Sequence, residues 1–451
     1  MKVISKASES VLAILKRFLK LDGCSRWLRY CVHTTGEDGV LVFNLLTREL
    51  VHLSHEEYNH FADLDYLKEH WFLVPEETAD KEYADLVKWA RAARQSKPKE
   101  ITSYTIFPTT DCNARCFYCF ELGRSRIPMS CETANNVVQY IKNHCGGKDV
   151  KISWFGGEPL YNQLAIDTIC QGLKQENISF KSNMVSNGYL FDDDVIKKAV
   201  EEWNLTKIQI TLDGTEKVYN KIKAYIYPDE NAYERVMQNI GKLLDAGIRI
   251  SIRLNMDLHN ADDLLVLTKE LAEYFGGRKG LNVYAHHLFK GNVSDAELHS
   301  DEEWEVRDEA MRRLTDSLAE SGLAFRGGIQ KRIKSNHCMA DSGSAVTILP
   351  DGHIGVCEHH SETEFIGHID QEGFDTAVVK SWKERMPEIP ECAECFYFLD
   401  CTKLKKCPNG GSCYRQFRQA LLRKIQNQMI NEYQRWLTKS VGDEEEDNDD
   451  C

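Results

Sequence analysis

Short apolar runs of strand length recur through the middle of the chain, and segments with helical periodicity separate them. In three of these separating segments, 131–142, 192–202 and 232–246, apolar positions recur at helical spacing. Strands that alternate with helices in this way are typical of a parallel sheet with right-handed crossovers. We therefore predict an α/β fold built on six strands. The six apolar runs span residues 104–107, 150–155, 180–186, 207–212, 249–255 and 281–286.

The first eighty residues carry a different pattern, in which strands come before helices. Residues 39–44 and 49–53 predict two strands joined by a short turn, and residues 71–75 predict a closing strand. A Ser-His-Glu-Glu run directly after the second strand is a capping box that opens a helix. This layout predicts a winged-helix-like domain over residues 1–80. The charged, helix-prone segment 81–100 is expected to be a linker.

The C-terminal end combines a long periodic segment with an acidic run. Residues 414–437 have helical periodicity and predict a terminal helix packed on the barrel, which closes a cysteine-rich domain over 326–440. Residues 441–451 contain seven carboxylates and are expected to be a disordered tail, which accounts for much of the net charge of −14. No basic patch with interleaved aromatic residues predicts nucleic-acid binding. No apolar run reaches the length of a membrane span.

Three cysteines close together carry the clearest chemical signal of the chain. Cys112, Cys116 and Cys119 form a C-x3-C-x2-C run just after the first strand of the predicted α/β region. Soft thiolate ligands select iron–sulfur clusters or zinc. Three ligands instead of four would leave one iron of a cubane cluster open to an outside molecule. A zinc knuckle or a chance grouping is the alternative.

A second motif supports the cluster. The run Gly156-Gly157-Glu158-Pro159 lies at the end of the second strand. In this order after the triad it resembles the radical S-adenosylmethionine (SAM) enzymes. The resemblance implies a [4Fe–4S] cluster whose open iron binds SAM, and an electron transfer that cleaves SAM to a hydrogen-abstracting 5′-deoxyadenosyl radical. It also implies a partial (β/α)6 TIM-type barrel over 101–325, with the chemistry at the carboxyl ends of the strands.

The resemblance assigns SAM-binding roles to residues at these strand ends. In the family, the aromatic residue before the last cysteine, here Tyr118, packs at the adenine. The backbone of the Gly-Gly-Glu-Pro run and its carboxylate would hold the SAM ammonium, and Ser186-Asn187 resembles the ribose element. Asp213 and Arg253 lie at or in later strands, and they are equally well interpreted as turn and cap residues. The implied SAM-binding set is Tyr118, Gly156, Gly157, Glu158, Pro159, Ser186, Asn187, Asp213 and Arg253.

Seven further cysteines in the C-terminal third resemble the SPASM extension of radical SAM enzymes, which carries auxiliary iron–sulfur clusters. The family's order of ligands implies that Cys392, Cys395, Cys401 and Cys413 hold one complete cluster. Five residues separate Cys401 from Cys407, which is more than the family has. Cys392 and Cys395 alone would also suit a zinc ribbon, but the other cysteines disfavour it.

The other auxiliary cluster would lack one cysteine. The resemblance assigns it Cys338, Cys357 and Cys407, whereas position 332, near the expected fourth cysteine, is Arg and His337 is the nearest alternative ligand. An open iron there could bind a substrate thiolate. The alternatives are a non-cysteine protein ligand or a degraded cluster.

Glu358, directly after a cluster cysteine, is a candidate catalytic residue. It occupies the place where sulfatase-maturing relatives carry an acidic general base, and a carboxylate there could accept a substrate proton. The alternative is a solvated acid or a hydrogen-bond partner in the adjacent turn.

These observations predict a radical SAM/SPASM maturase of a ribosomally made precursor peptide. The layout of the N-terminal domain resembles the leader-recognition domains of peptide-modifying members of the family. This resemblance implies that it binds the peptide's leader as an added strand on a sheet edge, and a purely structural cap is the alternative. The enzyme would install a crosslink, with a thioether favoured and a carbon–carbon or carbon–oxygen bond possible. Flavodoxin or ferredoxin would supply electrons.

The sixteen cysteines, oxygen-labile clusters and lack of a signal sequence predict that the protein is located in a reducing cytoplasm. The alternatives are a sulfatase-type maturase that forms formylglycine in a protein, and a non-catalytic electron-transfer or scaffold protein.

Overall fold

A computed structural model describes most of the chain, and its central feature is a nine-stranded sheet with smaller sheets at the N-terminal end. Within the described residues, no helix is long and apolar enough to cross a membrane. The described residues are 1–18, 23–95, 99–227, 230–288, 301–324, 327–359, 364–407, 413 and 415–446.

The N-terminal part contains an antiparallel sheet with strand order β1-β5-β4-β3 and a separate pair, β2 with β6. The predicted hairpin is confirmed as β4 and β5, and the capping box is present, since Glu57 N–H donates to Ser54 Oγ at 3.2 Å. The predicted closing strand pairs instead with β2, which was too short to predict. The elements are β1 (Lys2–Ser5), α1 (Glu9–Phe18), β2 (Cys24–Trp27), β3 (Cys31–Gly36), β4 (Gly39–Asn44), β5 (Leu50–Leu53), α2 (His55–Asn59), α3 (Asp65–Glu69) and β6 (Leu73–Pro75).

The segment expected to be a linker is mostly helical. Helix α4 (Lys81–Gln95) buries Tyr83, Ala84 and Val87 in the N-terminal core. An amphipathic helix of this length gains most of its stability from such packing. The segment is therefore an integral part of the N-terminal core.

The six predicted strands are confirmed as parallel neighbours in chain order, β7 to β12. In β10, Ile208, Ile210 and Leu212 are buried in the apolar core, whereas Gln209 and Thr211 alternate with them and face the barrel interior. The elements are β7 (Ser103–Ile106), α5 (Cys131–His144), β8 (Val150–Trp154), α6 (Gln163–Gln175), β9 (Phe180–Ser186), α7 (Asp193–Glu201), β10 (Leu205–Leu212), α8 (Glu216–Lys223), α9 (Ala232–Asp245), β11 (Arg249–Met256), α10 (Ala261–Phe275), β12 (Leu281–His287) and α11 (Asp301–Glu320).

The cysteine-rich part extends the barrel sheet. Its strand β13 (Ala345–Ile348) pairs in parallel with β7, and β14 (His353–Gly355) and β15 (Gly367–His368) add antiparallel strands outside it. A short helix, α12 (Thr376–Lys383), follows. The first barrel strand is therefore an interior strand, with β8 on one side and the cysteine-rich part on the other.

The terminal helix α13 (Arg415–Glu446) differs from its prediction in two respects. Its apolar face, Ile425, Met429 and Tyr433, packs into the N-terminal core, while Arg423 pairs with Asp308 of the barrel helix α11. The helix also continues through Glu446, into the segment expected to lack fixed structure, because glutamate is a good helix former. The remaining residues, 447–451, lie outside the described residues.

Two arginines of the N-terminal part reach into the cysteine-rich part. Arg48 forms a buried ion pair with Asp400. Arg91 of α4 donates to the carbonyl oxygens of Leu399 at 3.2 Å and Cys401 at 3.5 Å. Both arginines therefore hold the turn that leads into Cys401, one of the cysteines predicted to bind an auxiliary cluster.

We predict that Arg48→Met will lower the free energy of unfolding by about 3–5 kcal/mol, because it leaves Asp400 buried without its cation. Urea denaturation, followed by circular dichroism, measures this. The control is Lys68→Met, which removes an exposed pair with Asp65 worth about 0–1 kcal/mol. Equal, small effects of both substitutions would contradict the prediction.

Candidate SAM and iron–sulfur site

The cysteine triad lies in the loop that follows β7, at the carboxyl edge of the barrel sheet. All three thiols are partly exposed. The loop is held locally, since Cys112 N–H donates to Asp111 Oδ1 at 2.8 Å and Cys119 N–H to the Cys116 carbonyl at 3.1 Å. Burial raises the pKa of Cys112 to about 12 and also raises that of Cys119. These thiols therefore stay protonated until a metal replaces the proton.

The loop after β8 runs against the residues that precede the triad. Gly157 N–H donates to the Thr109 carbonyl at 3.2 Å, and Glu158 N–H to the Asp111 carbonyl at 2.9 Å. A Cβ on Gly156 would lie 2.4 Å from Thr109 O, and one on Gly157 only 2.1 Å from Asp111 O. Gly156 also has φ +112°, which favours glycine. The backbone contact itself therefore requires both glycines.

Glu158 is completely buried at the centre of this site. Its carboxylate accepts from Ser186 Oγ at 2.9 Å, from Asn187 N–H at 2.8 Å and from Leu160 N–H at 3.3 Å. Burial raises its pKa to about 7, although these hydrogen bonds oppose the rise. A carboxylate has about four acceptor sites, and these donors occupy three of them. Because the side chain is fully buried, its role towards the SAM ammonium stays a prediction.

Asn187 connects this carboxylate to the triad. Its Nδ2 donates to Asn113 Oδ1 at 2.7 Å and lies 3.9 Å from Cys112 Sγ. The structure therefore brings Ser186, Asn187 and Glu158 together beside the cysteine loop. Pro159 is buried at the start of the following short 3-10 helix.

Tyr118 and Asp213 meet in a second buried network that includes Lys223. Tyr118 OH donates to Asp213 Oδ2 at 2.8 Å, and Lys223 Nζ lies 2.9 Å from the same oxygen. Asn255 Nδ2 donates to Asp213 Oδ1 at 3.0 Å. The sequence analysis missed Lys223, Asn255 and Asn113, because a lone lysine or asparagine in one sequence carries no signal of its burial.

Arg253 lies on β11 and pairs in register with Thr211 of β10. Its Nη2 contacts His286 Nδ1 at 3.1 Å, on the neighbouring strand β12. Among the described residues, no carboxylate forms an ion pair with Arg253. Its assignment to SAM stays a prediction.

The structure also groups the auxiliary cysteines. Burial raises the pKa of Cys395 to about 11, and the nearby thiols of Cys413, Cys401 and Cys392 raise it further. These four cysteines are the set that the resemblance assigns to one cluster. The structure therefore brings these four cysteines together.

Cys338 belongs to the three-cysteine set that the resemblance assigns to the other auxiliary cluster. Burial raises the pKa of Cys338 to about 11, and the neighbouring Cys407 and Glu358 raise it further. Asp341, which is buried, accepts from Cys338 N–H at 3.1 Å and from His337 N–H at 2.9 Å. Glu358 thus lies close enough to Cys338 to raise its pKa. Cys357 is buried beyond the end of β14, and Arg332 is exposed.

Within the described stretches, no three Cys, His, Asp or Glu side chains converge on a point where one metal ion could bind. The thiolates of a cubane cluster each bind a different iron, so they need not converge on one point.

Comparisons with known proteins agree with this geometry. Residues 106–271 match the Radical SAM superfamily. A probable GTP 3′,8-cyclase of Methanococcus maripaludis is 29% identical over 153 residues, which is 33% of this chain and 48% of that protein. The chain thus spans about half the length of that relative.

Two solved structures share the fold. The structure of anSMEcpe with bound AdoMet has a TM-score of 0.55 and 14% identity, and the match covers 76% of this chain and 96% of that one. Streptococcus suis SuiB bound to its precursor peptide SuiA has a TM-score of 0.52 and 11% identity, with coverages of 86% and 98%. At these identities the likeness concerns the fold.

We predict that Glu158 makes the stability of the SAM-free protein fall with rising pH. The unfolded carboxyl loses its proton near 4.5 and the folded one near 7. Between these values only the folded chain keeps the proton, so about 3 kcal/mol of stability is lost as pH rises through this window. Urea denaturation from pH 4.5 to 7.5 measures this, and Glu158→Gln should flatten the profile relative to wild type.

The matched control is Glu132→Gln, which removes an exposed carboxylate in the first turn of α5. Its profile should follow that of the wild type. Parallel profiles for wild type and Glu158→Gln would contradict the prediction.

Proposed function

We propose that this chain, a radical SAM enzyme, matures a ribosomally made precursor peptide by installing a crosslink, with a thioether favoured over a carbon–carbon or carbon–oxygen bond. One observation carries the peptide assignment. The N-terminal sheet is anchored to the auxiliary-cysteine part through Arg48–Asp400 and Arg91, although SAM cleavage needs no such domain. A domain held there suits delivery of a long substrate.

The triad and the Glu158 network would hold the cofactors. When bound, the triad's [4Fe–4S] cluster and SAM supply the 5′-deoxyadenosyl radical, and auxiliary clusters can accept the electron that the peptide gives up. The free acceptor site of Glu158 would take the SAM ammonium. Ser186 and Asn187 orient this carboxylate, and Tyr118 is held by Asp213 next to the cluster cysteines.

The three-cysteine set around Cys338 supports a thioether. Three thiolates leave one iron of a cubane cluster without a cysteine ligand, and a substrate thiolate could bind there. Glu358 lies beside this set and would accept the proton that the substrate thiol loses. The net change in the peptide is the loss of two hydrogens per crosslink.

The leader would bind the outer edge of β3. In its hairpin with β4, Gly36 pairs with Gly39, so alternate residues such as His33 and Thr35 direct their backbone groups away from β4. Consistent with this, the His33 carbonyl accepts from Gln426 of α13 at 2.9 Å. Thr35 is exposed and its N–H would pair with an added strand. SuiB, which shares the fold, was solved with a precursor peptide.

Two alternatives differ in their substrate. A sulfatase-type maturase would oxidise a cysteine or serine of a protein to formylglycine, and the anchored N-terminal part would have no evident use. An electron-transfer or scaffold protein would need neither the glycine-lined loop nor Glu158.

In the proposed function, flavodoxin or ferredoxin would supply the electrons that reduce the triad's cluster, in the reducing cytoplasm.

The direct test is mass spectrometry of a precursor peptide encoded beside this chain's gene, after co-expression. We expect a loss of two hydrogens per crosslink, and alkylation should label fewer thiols if the bond is a thioether. The control is the Cys112→Ala/Cys116→Ala/Cys119→Ala variant, which should leave the peptide unmodified. An unmodified peptide with 5′-deoxyadenosine still formed would refute the substrate class, and no 5′-deoxyadenosine at all would favour the scaffold.

The leader site can be tested separately. Thr35→Pro removes one outward N–H of β3 without removing a bond to β4, and we expect leader affinity to fall about tenfold, the value of roughly one hydrogen bond. Fluorescence anisotropy of a labelled leader peptide measures this. Thr35→Val keeps the N–H and should bind like wild type. Equal affinity of the proline and valine variants would exclude the β3 edge.

A further inference from the structure

A buried lysine at the end of α8 fastens the triad loop to the barrel. Lys223 is 2% exposed. Its Nζ donates to Thr211 Oγ1 at 2.6 Å and to Tyr118 OH at 3.0 Å, and it lies 2.9 Å from Asp213 Oδ2. These three partners account for all three hydrogens of the ammonium group. The side chain therefore has one defined position.

The backbone around Lys223 holds the same loop from another side. Arg115 N–H donates to the Lys223 carbonyl at 2.8 Å, and Ile226 N–H donates to the Asn113 carbonyl at 3.0 Å. Cys116 Sγ lies 4.0 Å from the Lys223 carbonyl oxygen. Side chain and main chain together hold the stretch between the first and last cysteines of the triad.

The lysine remains charged in spite of its burial. Asp213 Oδ2 lies 2.9 Å from its Nζ as a counter-ion, and Thr211 and Tyr118 accept its other hydrogen bonds. A buried charge is expensive unless it is paired and hydrogen-bonded. The contacts of Lys223 offset the free-energy cost of burying its charge, and all of them lie on the side of the barrel that carries the triad.

We propose that Lys223 is a positioning residue of the triad site, which fixes Tyr118 between Cys116 and Cys119 and makes the triad's iron–sulfur cluster easier to reduce. The proposal rests on the radical SAM function, but not on the peptide substrate. Reduction adds negative charge to a cluster, and nearby charge and hydrogen bonding are among the factors that set its potential. The positive charge of Lys223, bonded to Tyr118 between two of the triad cysteines, would therefore favour the reduced state.

The test is a redox titration of the reconstituted full-length protein, followed by electron paramagnetic resonance. The triad cluster is identified as the one whose signal changes when SAM is added. In Lys223→Met, the ratio of reduced to oxidised triad cluster at a fixed potential should fall about tenfold, which is about 59 mV for one electron. Lys223→Arg keeps the charge and should stay within about twofold of wild type.

The matched control removes a similar ion pair elsewhere. Lys198 of α7 pairs with Asp167 at 2.8 Å on the outside of the barrel, and Lys198→Met should not change the ratio. Tyr118→Phe tests the positioning role, because it removes only the hydroxyl. SAM affinity, measured from the same signal, should fall in Tyr118→Phe and Lys223→Met, and the double variant should be no weaker than the weaker single variant.

An unchanged ratio in a folded Lys223→Met protein would overturn the proposal, as would the same change in Lys198→Met. Lys223→Gln, which keeps a hydrogen-bond donor without the charge, provides a second variant in case the first does not fold. Unfolding of both would show that Lys223 is a core residue only. Because no peptide enters these measurements, failure on a precursor peptide would refute the proposed substrate and leave this inference standing.

Discussion

The site depends on one backbone contact, between the loop after β8 and the residues that lead into the triad. The N–H groups of Gly157 and Glu158 donate to the carbonyls of Thr109 and Asp111. The two chains lie so close that a Cβ at Gly157 would overlap Asp111 O. This contact places the buried carboxylate next to the cysteine loop, so the positions of both cofactor sites follow from the same hydrogen bonds.

Three buried ionisable side chains are stabilised in two different ways. Glu158 is held by neutral donors and keeps a raised pKa, whereas Lys223 and Arg48 are each paired with an aspartate. The neutral donors occupy three of about four acceptor sites of the Glu158 carboxylate. The Lys223 and Arg48 pairs instead hold protein segments to one another.

The sequence alone predicted the features that depend on a pattern of residues close together in the chain. The alternation of apolar runs located all six barrel strands, and the triad followed by Gly-Gly-Glu-Pro located both loops of the site. Long-range partners carry no such pattern. The parallel pairing of β13 with β7, the packing of α13 on the N-terminal core and the burial of Lys223 each join residues far apart in the chain. Their side chains are ordinary in type, so nothing local distinguishes them.

The position of β13 brings the cysteine-rich part against the barrel. β13 pairs directly with β7 and points the same way, so the carboxyl ends of these two strands open on the same edge of the sheet. The next strand, β14, runs back antiparallel to β13 on its outer side and leads to Cys357. The His359 carbonyl, just beyond Cys357, accepts from Arg124, which follows the triad. The ring of His359 also contacts that of Phe120, 4.9 Å between centroids, so the segment after Cys357 packs against the segment after the triad through both backbone and side chain.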